Sequence, residues 1–450
     1  MVRKITQSNP HELEAKASEI KTKIFNLVEE YCAIAHGPRE FIAGISNVPV
    51  TGKVYGSNEI SLLVESALDF WLTTGRFNTA FEKKLAQFLG TRFVLTCNSG
   101  SSANLLAVSA LTSHLLKGKA LKPGDEVITC ATGFPTTVNP IIINQLIPVF
   151  VDVDIPTYNI NVDAVESAIS SRTKAIVVAH TLGNPFNLER IKQIAEKHDL
   201  FLIEDTCDAL GALYQGKMVG TFGDIGTCSF YPAHHITMGE GGVVFTQNSV
   251  MKRILESMRD WGRDCWCEPG QDNTCGKRFE WTLGNLPCGY DHKYTYSHLG
   301  YNLKITDMQA AVGLGQLDRL DQFIATRRNN FAYLYEGFKA LEEYFILPEA
   351  TANSEPSWFG FPLTIRAGSS FTRNKLINYL TLKKIDTRLL FGGNLLAQPY
   401  MNSRLYRVAG SLNNSDIVMN NTLWIGLYPG LTHTHLSYTL QIFHDFIKTL

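Results

Sequence analysis

The 450-residue sequence has no apolar run of the ~20 residues that a membrane-spanning helix needs. Its N-terminus, Met1-Val-Arg-Lys-Ile-Thr-Gln, has no apolar core typical of a secretory signal peptide, so we expect a cytoplasmic protein. Its 41 basic and 42 acidic residues give a formal net charge of −1. That balance provides no general attraction to nucleic acid or to an acidic membrane, so any anionic ligand must be held locally.

Length and composition indicate a globular chain with more than one hydrophobic core. Apolar residues make up 45% of the sequence, and 450 residues exceed what one core usually supports. We expect an N-terminal helix and a long ordered loop at 1–60. A large domain at 61–325 should include a cysteine-rich insertion at 262–292, and a small α+β domain should follow at 326–450.

Apolar runs alternate with helical patterns from residue 93 onward. Strands are predicted at Phe93–Cys97, Glu126–Cys130, Pro148–Val153, Ala175–His180, Phe201–Glu204, Gly226–Ser229 and Val243–Thr246. Helices are predicted between these strands, and residues 306–340 read as one long helix. The alternation predicts an α/β fold with a parallel sheet covered on both faces. Ligands of such sheets bind beyond the carboxyl ends of the strands.

Two polar segments follow predicted strands. The small residues of Asn98-Ser-Gly-Ser-Ser-Ala103 open a helix, where backbone N–H groups could hold a phosphate, although a plain helix cap is the alternative. Asp205 follows an apolar strand, and a buried carboxylate needs a positive partner such as a protonated pyridine nitrogen. A helix N-cap is the alternative role for Asp205.

The segment Ser229–Gly242 lies between two short apolar runs and carries His234 and His235 at its centre. An imidazole has an ordinary pKa of about 6.5 and is suited to moving protons near neutral pH. The alternative is that both histidines are polar loop residues without a role.

The nine cysteines fall into two groups. Most lie singly in apolar runs, as Cys97 and Cys130 do, and are expected to be buried and reduced. Three others, Cys265, Cys267 and Cys275, share a polar loop. With a fourth thiol they would suit zinc or a [2Fe–2S] cluster, although Cys-x-Cys spacing is unusual for zinc. The fourth thiol could be Cys288, which would leave the metal peripheral, or Cys207, which follows Asp205 by two residues.

These motifs resemble, in order and spacing, those of the DegT/StrS sugar aminotransferase family, from about Gly75 to the end of the chain. The family pattern Glu-Asp-x-Ala-x-x-x-Gly-Ala is similar to 204–212, with Cys207 replacing the usual alanine. The segment Ser229-Phe-Tyr-Pro-Ala-His234 resembles the family segment whose lysine holds pyridoxal phosphate covalently, but His234 takes the lysine position. The resemblance implies a PLP-dependent type I (aspartate aminotransferase-like) fold and a homodimer with its sites at the interface.

The resemblance also implies roles for individual residues. Gly100, Ser101 and the Ser229 hydroxyl would hold the cofactor phosphate, and Phe134 would stack on its ring. Asp205 would hold the pyridine nitrogen. Asn302, in Gly300-Tyr-Asn-Leu-Lys-Ile-Thr-Asp, would reach the partner's cofactor.

The histidine and the cysteines together resemble one branch of the family, the iron–sulfur nucleotide-sugar 3-dehydrases of 3,6-dideoxyhexose synthesis. That resemblance implies non-covalent pyridoxamine phosphate, with His234 removing a proton from its C4′ carbon and Tyr231 assisting. It implies a [2Fe–2S] cluster on Cys207, Cys265, Cys267 and Cys275, supplied with electrons by an NADH-dependent flavin and iron–sulfur reductase. The substrate would be a nucleotide-linked 4-keto-6-deoxyhexose that loses its C3 hydroxyl, with CDP favoured over TDP by resemblance alone.

Two other functions are compatible with the sequence. One is a PLP-dependent nucleotide-sugar aminotransferase with an unusual anchor, which would form an amino sugar from glutamate. The other is a non-catalytic cofactor or iron–sulfur sensor without turnover. Lys53 and Arg388 are candidate substrate contacts, and solvated surface is the alternative for both.

Overall fold

The computed structural model describes residues 9–37, 39–267 and 269–450. The helices are α1 Pro10–Ala35, α2 Ser57–Asp69, α3 Arg76–Leu89, α4 Gly100–Ala110, α5 Pro135–Ile143, α6 Val162–Ala168, α7 Leu188–Lys197, α8 Ser249–Arg259, α9 Asp307–Leu317, α10 Leu320–Phe338, α11 Arg373–Leu382, α12 Asn413–Asn421 and α13 His433–Lys448. The strands are β1 Phe93–Cys97, β2 Glu126–Cys130, β3 Ile147–Val151, β4 Thr173–Ala179, β5 Phe201–Asp205, β6 Leu213–Tyr214, β7 Lys217–Met218, β8 Ile225–Ser229, β9 Gly242–Thr246, β10 Phe345–Ile346, β11 Ser354–Glu355, β12 Phe361–Ile365, β13 Arg407–Val408 and β14 Thr422–Ile425. No helix among the described residues combines the length and the apolarity needed to cross a membrane.

The large domain is built on an eight-stranded sheet with the order β1-β9-β8-β5-β4-β2-β3-β13. All neighbouring strands are parallel except β9, which runs antiparallel to both β1 and β8. Helices α4 and α8 pack on one face through residues such as Leu106 and Ile254, and α6 and α7 pack on the other through Val165 and Ile191. Both faces are covered, so the strands are apolar along their whole length.

The small domain is an antiparallel sheet, β10-β12-β14, packed against helices α10 and α13. Its core contains Phe338, Phe345, Phe361 and Phe443, whose rings contact one another mainly edge to face. The interdigitated rings give this domain a core of its own, separate from the two faces of the large sheet.

Two features of the fold differ from the sequence prediction. The single long helix expected at 306–340 is wrong, because α9 ends at Leu317 and α10 begins at Leu320. The break coincides with outward contacts: Asp318 pairs with Lys84, and Arg319 Nη1 lies 3.4 Å from Oε1 of Glu59. In addition, β13 from the C-terminal region pairs in parallel with β3 and extends the large sheet.

Candidate active site

A cavity of about 350 Å³ opens at the carboxyl ends of strands β4, β5 and β8, where the small domain faces the large sheet. Eight of the residues singled out from the sequence line it together: Gly100, Ser101, Phe134, Asp205, Cys207, Ser229, Tyr231 and His234. The small domain contributes Phe359, Arg388 and Trp424 to the opposite wall. The parallel topology explains this convergence, since strands that run the same way end at one edge of the sheet.

One end of the cavity is the N-terminus of helix α4. Ser99 caps the helix by accepting a hydrogen bond from Ser102 N at 3.0 Å, and the first intrahelical bond runs from Ala103 N to Ser99 O. The amide groups of Gly100 and Ser101 precede that bond and carry the positive end of the helix dipole. The hydroxyl of Ser229 lies alongside, because a Cβ on Gly100 would be only 2.8 Å from Oγ of Ser229. This end can accept a phosphate group.

Asp205, the last residue of β5, is buried and held by three hydrogen bonds. Asn104 Nδ2 and Thr137 Oγ1 each donate to its Oδ2 at 2.8 Å, and Cys207 N donates to Oδ1 at 3.1 Å. The carboxylate is thus fixed in direction at the cavity wall. It can bind a cationic ring nitrogen, as the sequence predicted. No helix begins at Asp205, so the alternative role as a helix N-cap is wrong.

Phe134 precedes α5 and leaves 52% of its surface exposed at the cavity. Its ring meets Phe391 edge-on, with centroids 6.4 Å apart. An exposed aromatic ring in the lining that also holds Gly100, Ser101 and Asp205 is suited to stacking on a planar ligand.

His234 lies in the turn between β8 and β9, where its backbone N–H donates to Tyr231 O at 2.9 Å. Its side chain is 17% exposed and packs against Phe359, with ring centroids 5.3 Å apart. Burial lowers the pKa of His234 to about 4; the negative charge of Asp205 opposes this shift and Arg327 adds to it. The imidazole is therefore neutral at pH 7 and able to accept a proton. Tyr231, at 52% exposure, lies at the same cavity wall.

The second histidine of the pair has a different position. Nε2 of His235 donates to the carbonyl of Ser357 at 2.8 Å, and the residue is buried between the turn and the small domain. His235 does not line the cavity. Its contact holds the turn that carries His234 against the small domain.

Comparison with known proteins places this site in a family. The sequence model of the DegT/DnrJ/EryC1/StrS aminotransferase family matches residues 55–443. The chain belongs to this family. Lipopolysaccharide biosynthesis protein RfbH of Salmonella typhimurium (strain LT2) is 61% identical over 430 residues, covering 96% of this chain and 98% of that protein. The dTDP-4-dehydro-2,6-dideoxy-D-glucose 3-dehydratase of Saccharopolyspora spinosa is 51% identical over 429 residues, covering 95% and 92%.

Solved structures of the family agree with the fold described above. A mutant GDP-4-keto-6-deoxymannose-3-dehydratase (ColD) with bound GDP-perosamine superposes with a TM-score of 0.80 at 29% identity, covering 88% of this chain and 100% of that one. The Escherichia coli GDP-4-keto-6-deoxy-D-mannose-3-dehydratase with bound hydrated PLP gives a TM-score of 0.79, also at 29% identity, covering 88% and 99%. The predicted type I aminotransferase fold and the predicted family are confirmed.

In this member of the DegT/DnrJ/EryC1/StrS family, two of the predicted contacts lie away from the cavity. Asn302 is exposed and pairs with Asp260 in an isolated β-bridge, so its predicted reach to a partner's cofactor stays a prediction. Lys53 lies over the ring of Tyr55, with Nζ 5.5 Å from the centroid, and does not line the cavity. Arg388 does line it; its Nη1 donates only to the neighbouring Thr387 O, so the guanidinium is available to a ligand.

The cysteines occupy two places. Cys265, Cys267 and Cys275 lie together in the loop. The thiol of Cys267 lies 3.0 Å from Oγ1 of Thr274. Burial raises the pKa of Cys265, and the neighbouring thiols of Cys267 and Cys275 add to this rise. Cys207 instead lies on the cavity wall, where burial and the charge of Asp205 raise its pKa well above the ordinary value.

Four thiols are a suitable donor set for an iron–sulfur cluster, but their arrangement is not that of an assembled site. Among residues 9–37, 39–267 and 269–450, no three or more His, Cys, Asp or Glu side chains form a group that could hold a metal ion. The metal ligands therefore stay a prediction, as does the choice between Cys207 and the exposed Cys288.

Three titratable residues at the site, Asp208, His180 and Arg327, were among those not predicted from the sequence. Asp208 lies within the motif that contains Asp205, and its Oδ1 is 3.5 Å from Nδ1 of His234. His180 follows β4 and lines the cavity, with its Nδ1 accepting from Phe186 N and its Nε2 donating to Glu204. Arg327 comes from α10, far along the chain, and is fully buried behind the histidines. A polar residue after a strand pointed to the first two, but nothing in the sequence pointed to Arg327.

Proposed function

We propose that this chain catalyses pyridoxamine-phosphate-dependent removal of the C3 hydroxyl from a nucleotide-linked 4-keto-6-deoxyhexose. The observation that carries the proposal is the cavity wall at position 234. A neutral imidazole stands there beside a phosphate-accepting helix end and a buried carboxylate, and the described lining of the cavity contains no lysine. The relatives named as 3-dehydratases support the same reaction class.

The residues present fit pyridoxamine phosphate as a non-covalent ligand. Gly100, Ser101 and Ser229 would hold the phosphate, Phe134 would stack on the ring, and Asp205 would keep the ring nitrogen protonated. When bound, the cofactor supplies an amine for the keto group of the sugar and a ring that can store electrons.

His234 acts as the proton acceptor for the carbon that bears the cofactor amine. Its burial keeps it neutral, and its ring packs against Phe359 at the cavity wall. Tyr231 lines the same cavity, and we propose that it assists the proton movement. Water is excluded from one side by Phe359, Phe391 and Trp424 of the small domain.

The predicted redox part of the function depends on the cysteines. We infer that Cys207, Cys265, Cys267 and Cys275 bind a [2Fe–2S] cluster, which would supply single electrons from an NADH-dependent flavin and iron–sulfur reductase. The support is their sequence spacing and the closeness of three thiols in the loop. Binding would require the loop thiols and Cys207 to be brought together and deprotonated.

Arg388 supports a substrate that carries a diphosphate. Among the described residues Arg388 makes no ion pair, and a diphosphate linker is a suitable anion for its guanidinium at the cavity wall. We propose the CDP-linked sugar of 3,6-dideoxyhexose synthesis, although relatives named for dTDP- and GDP-linked sugars exist. We also propose a cytoplasmic homodimer in which Asn302 reaches the partner's cofactor.

Anaerobic turnover with pyridoxamine phosphate and CDP-4-keto-6-deoxy-D-glucose tests the proposal. The wild-type protein should release water from C3, and His234→Asn should reduce this at least about 100-fold, the lower range for loss of a general base. His11→Gln, a change on the exposed first turn of α1, is the matched control and should have no effect. Amino-sugar formation from glutamate, with no water loss, would instead establish the aminotransferase alternative.

The cluster is tested separately by iron and sulfide content and by the absorption spectrum of anaerobically purified protein. Cys207→Ser should remove the bands of a bridged cluster, whereas Cys288→Ser should leave them. The reverse result would make Cys288 the fourth ligand and leave the dehydration proposal intact.

A further inference from the structure

Three polar side chains at or behind the cavity wall, His234, Asp208 and Arg327, leave hydrogen bonds incomplete. Nδ1 of His234 lies 3.5 Å from Oδ1 of Asp208, and the two side chains are 17% and 10% exposed. Nδ1 of His234, Oδ2 of Asp208 and Nε of Arg327 are all buried without a hydrogen-bond partner among the described residues. Buried polar atoms of this kind are rare, and they concentrate where a side chain has a task.

Arg327 is a buried cation on the far side of His234, and both residues line one small internal cavity. Its side chain is 1% exposed, and its Nη1 donates to the carbonyls of Trp358 and Phe359, at 3.3 and 3.1 Å. Among the described residues no carboxylate oxygen lies within 4 Å of its guanidinium nitrogens, so Asp208 is not tied to Arg327 by an ion pair and is left facing His234.

The orientation of His234 is not decided by its own torsions. The χ2 torsion of histidine is broad and roughly two-fold, so a ring flip costs little by itself. Packing against Phe359 fixes the plane of the ring but not which nitrogen faces the cavity. The buried nitrogen is Nδ1, on the side of Asp208, so Nε2 lies on the accessible side.

We propose that Asp208 is a positioning residue for His234, which engages Nδ1 and thereby turns Nε2 toward the reacting carbon in the cavity. With the proton of the neutral ring on Nδ1 and directed at Oδ1, Nε2 carries the lone pair that accepts the proton from the cofactor carbon. The inference rests on the proposed role of His234 as proton acceptor, and it assigns Asp208 no contact with substrate or cofactor. The end of β5 and the turn after it would then have two roles: Asp205 would hold the ring nitrogen of the cofactor, and Asp208 would orient the base, His234.

The experiment compares Asp208→Leu, Asp208→Asn and Asp208→Glu in the full-length protein. Neutron crystal structures of the cofactor-free variants, in which nitrogen and carbon scatter differently, report the orientation of the His234 ring. We expect two ring orientations with Leu and with Asn, and the single wild-type orientation with Glu. Asp152→Asn is the matched control: it removes a half-buried carboxylate that binds Ser415 and Asn414, far from the cavity lining, and should leave the ring unchanged.

Turnover and cofactor binding provide the second readout. Misplacement of the base by about 1 Å should lower kcat about 100-fold in Asp208→Leu, with the affinity for pyridoxamine phosphate unchanged and activity recovered in Asp208→Glu. An unchanged His234 ring in the Leu and Asn variants would overturn the proposal, and so would wild-type kcat in both. If His234→Asn itself left turnover intact, the proposed function would fail, while the ring orientations would still decide the role of Asp208.

Discussion

Gly100 is the position where the geometry makes the sharpest prediction about ligand binding. A Cβ built on it would lie 2.4 Å from Cβ of Ser229 and 3.1 Å from Sγ of Cys207. Ordinary carbon–carbon contacts are about 3.8 Å, so Gly100→Ala creates an overlap of about 1.4 Å. The neighbours are short side chains at the end of a buried strand and in the adjoining turn, so they have little room to yield. We expect the start of α4 to shift by about 1 Å.

That shift has two measurable consequences. Overpacking of this size should lower the free energy of unfolding by about 1–3 kcal/mol. Loss of one charge-assisted hydrogen bond from α4 to the phosphate is worth about 1.5–3 kcal/mol, which corresponds to about 10- to 100-fold weaker binding.

Absorbance titration with pyridoxamine phosphate and urea unfolding measure the two effects. Gly118→Ala is the matched control, because a Cβ there meets no atom within 4 Å. If Gly100→Ala binds pyridoxamine phosphate as tightly as wild type, the phosphate does not lie at the start of α4, and the assignment of Gly100 and Ser101 is wrong.

Two further predictions concern stability. Glu126 is buried at the start of β2 and accepts from Arg407 Nη2 and Arg172 Nη2, each at 2.7 Å. Glu126→Gln should lower the free energy of unfolding in urea by about 1–3 kcal/mol, toward the lower value because both arginines are partly exposed. Asp199→Asn, in an exposed ion pair, should lower it by under about 1 kcal/mol. Equal losses in the two variants would contradict this reasoning. Burial lowers the pKa of folded His298 to about 4, so on acidification the unfolded chain takes up this proton at a higher pH than the folded chain does. The free energy of unfolding should therefore fall as the pH is lowered from about 6.5 to 4. His298→Gln should flatten that fall.

Much of the large domain follows from the length and spacing of apolar runs. Strands β1 and β2 have the predicted bounds, because buried strands are short continuous apolar segments. Helix α7 lies between two strands as predicted, and it has one clear apolar stripe. The direction of β9 does not show in such a pattern, since a buried antiparallel strand is equally apolar. Strand β13 has two residues and one arginine, so it carries no periodicity to detect.

The site could be predicted where its residues follow strands. Gly100, Asp205 and Ser229 converge because strands that run the same way end at one edge of the sheet. A family resemblance added Phe134 and Tyr231. On the wall formed by the small domain only Arg388 was predicted, because Phe359 and Trp424 reach the cavity through tertiary packing alone. The cysteines show the same limit: spacing groups three of them, but it does not determine where Cys207 lies relative to the loop.

The residues around position 234 suit the histidine found there rather than the lysine found at the similar position in the family's aminotransferases. A lysine amine at this site would lose water contacts and would lie near the buried charge of Arg327, and both effects lower a lysine pKa. Asp208 is the nearest carboxyl group, and Phe359 packs against the imidazole plane. We therefore expect His234→Lys to abolish dehydration. Trapping of pyridoxal phosphate on this variant by borohydride would show that the pocket still accepts an amine. Absence of trapping would show that Asp208, Arg327 and Phe359 have come to require an imidazole.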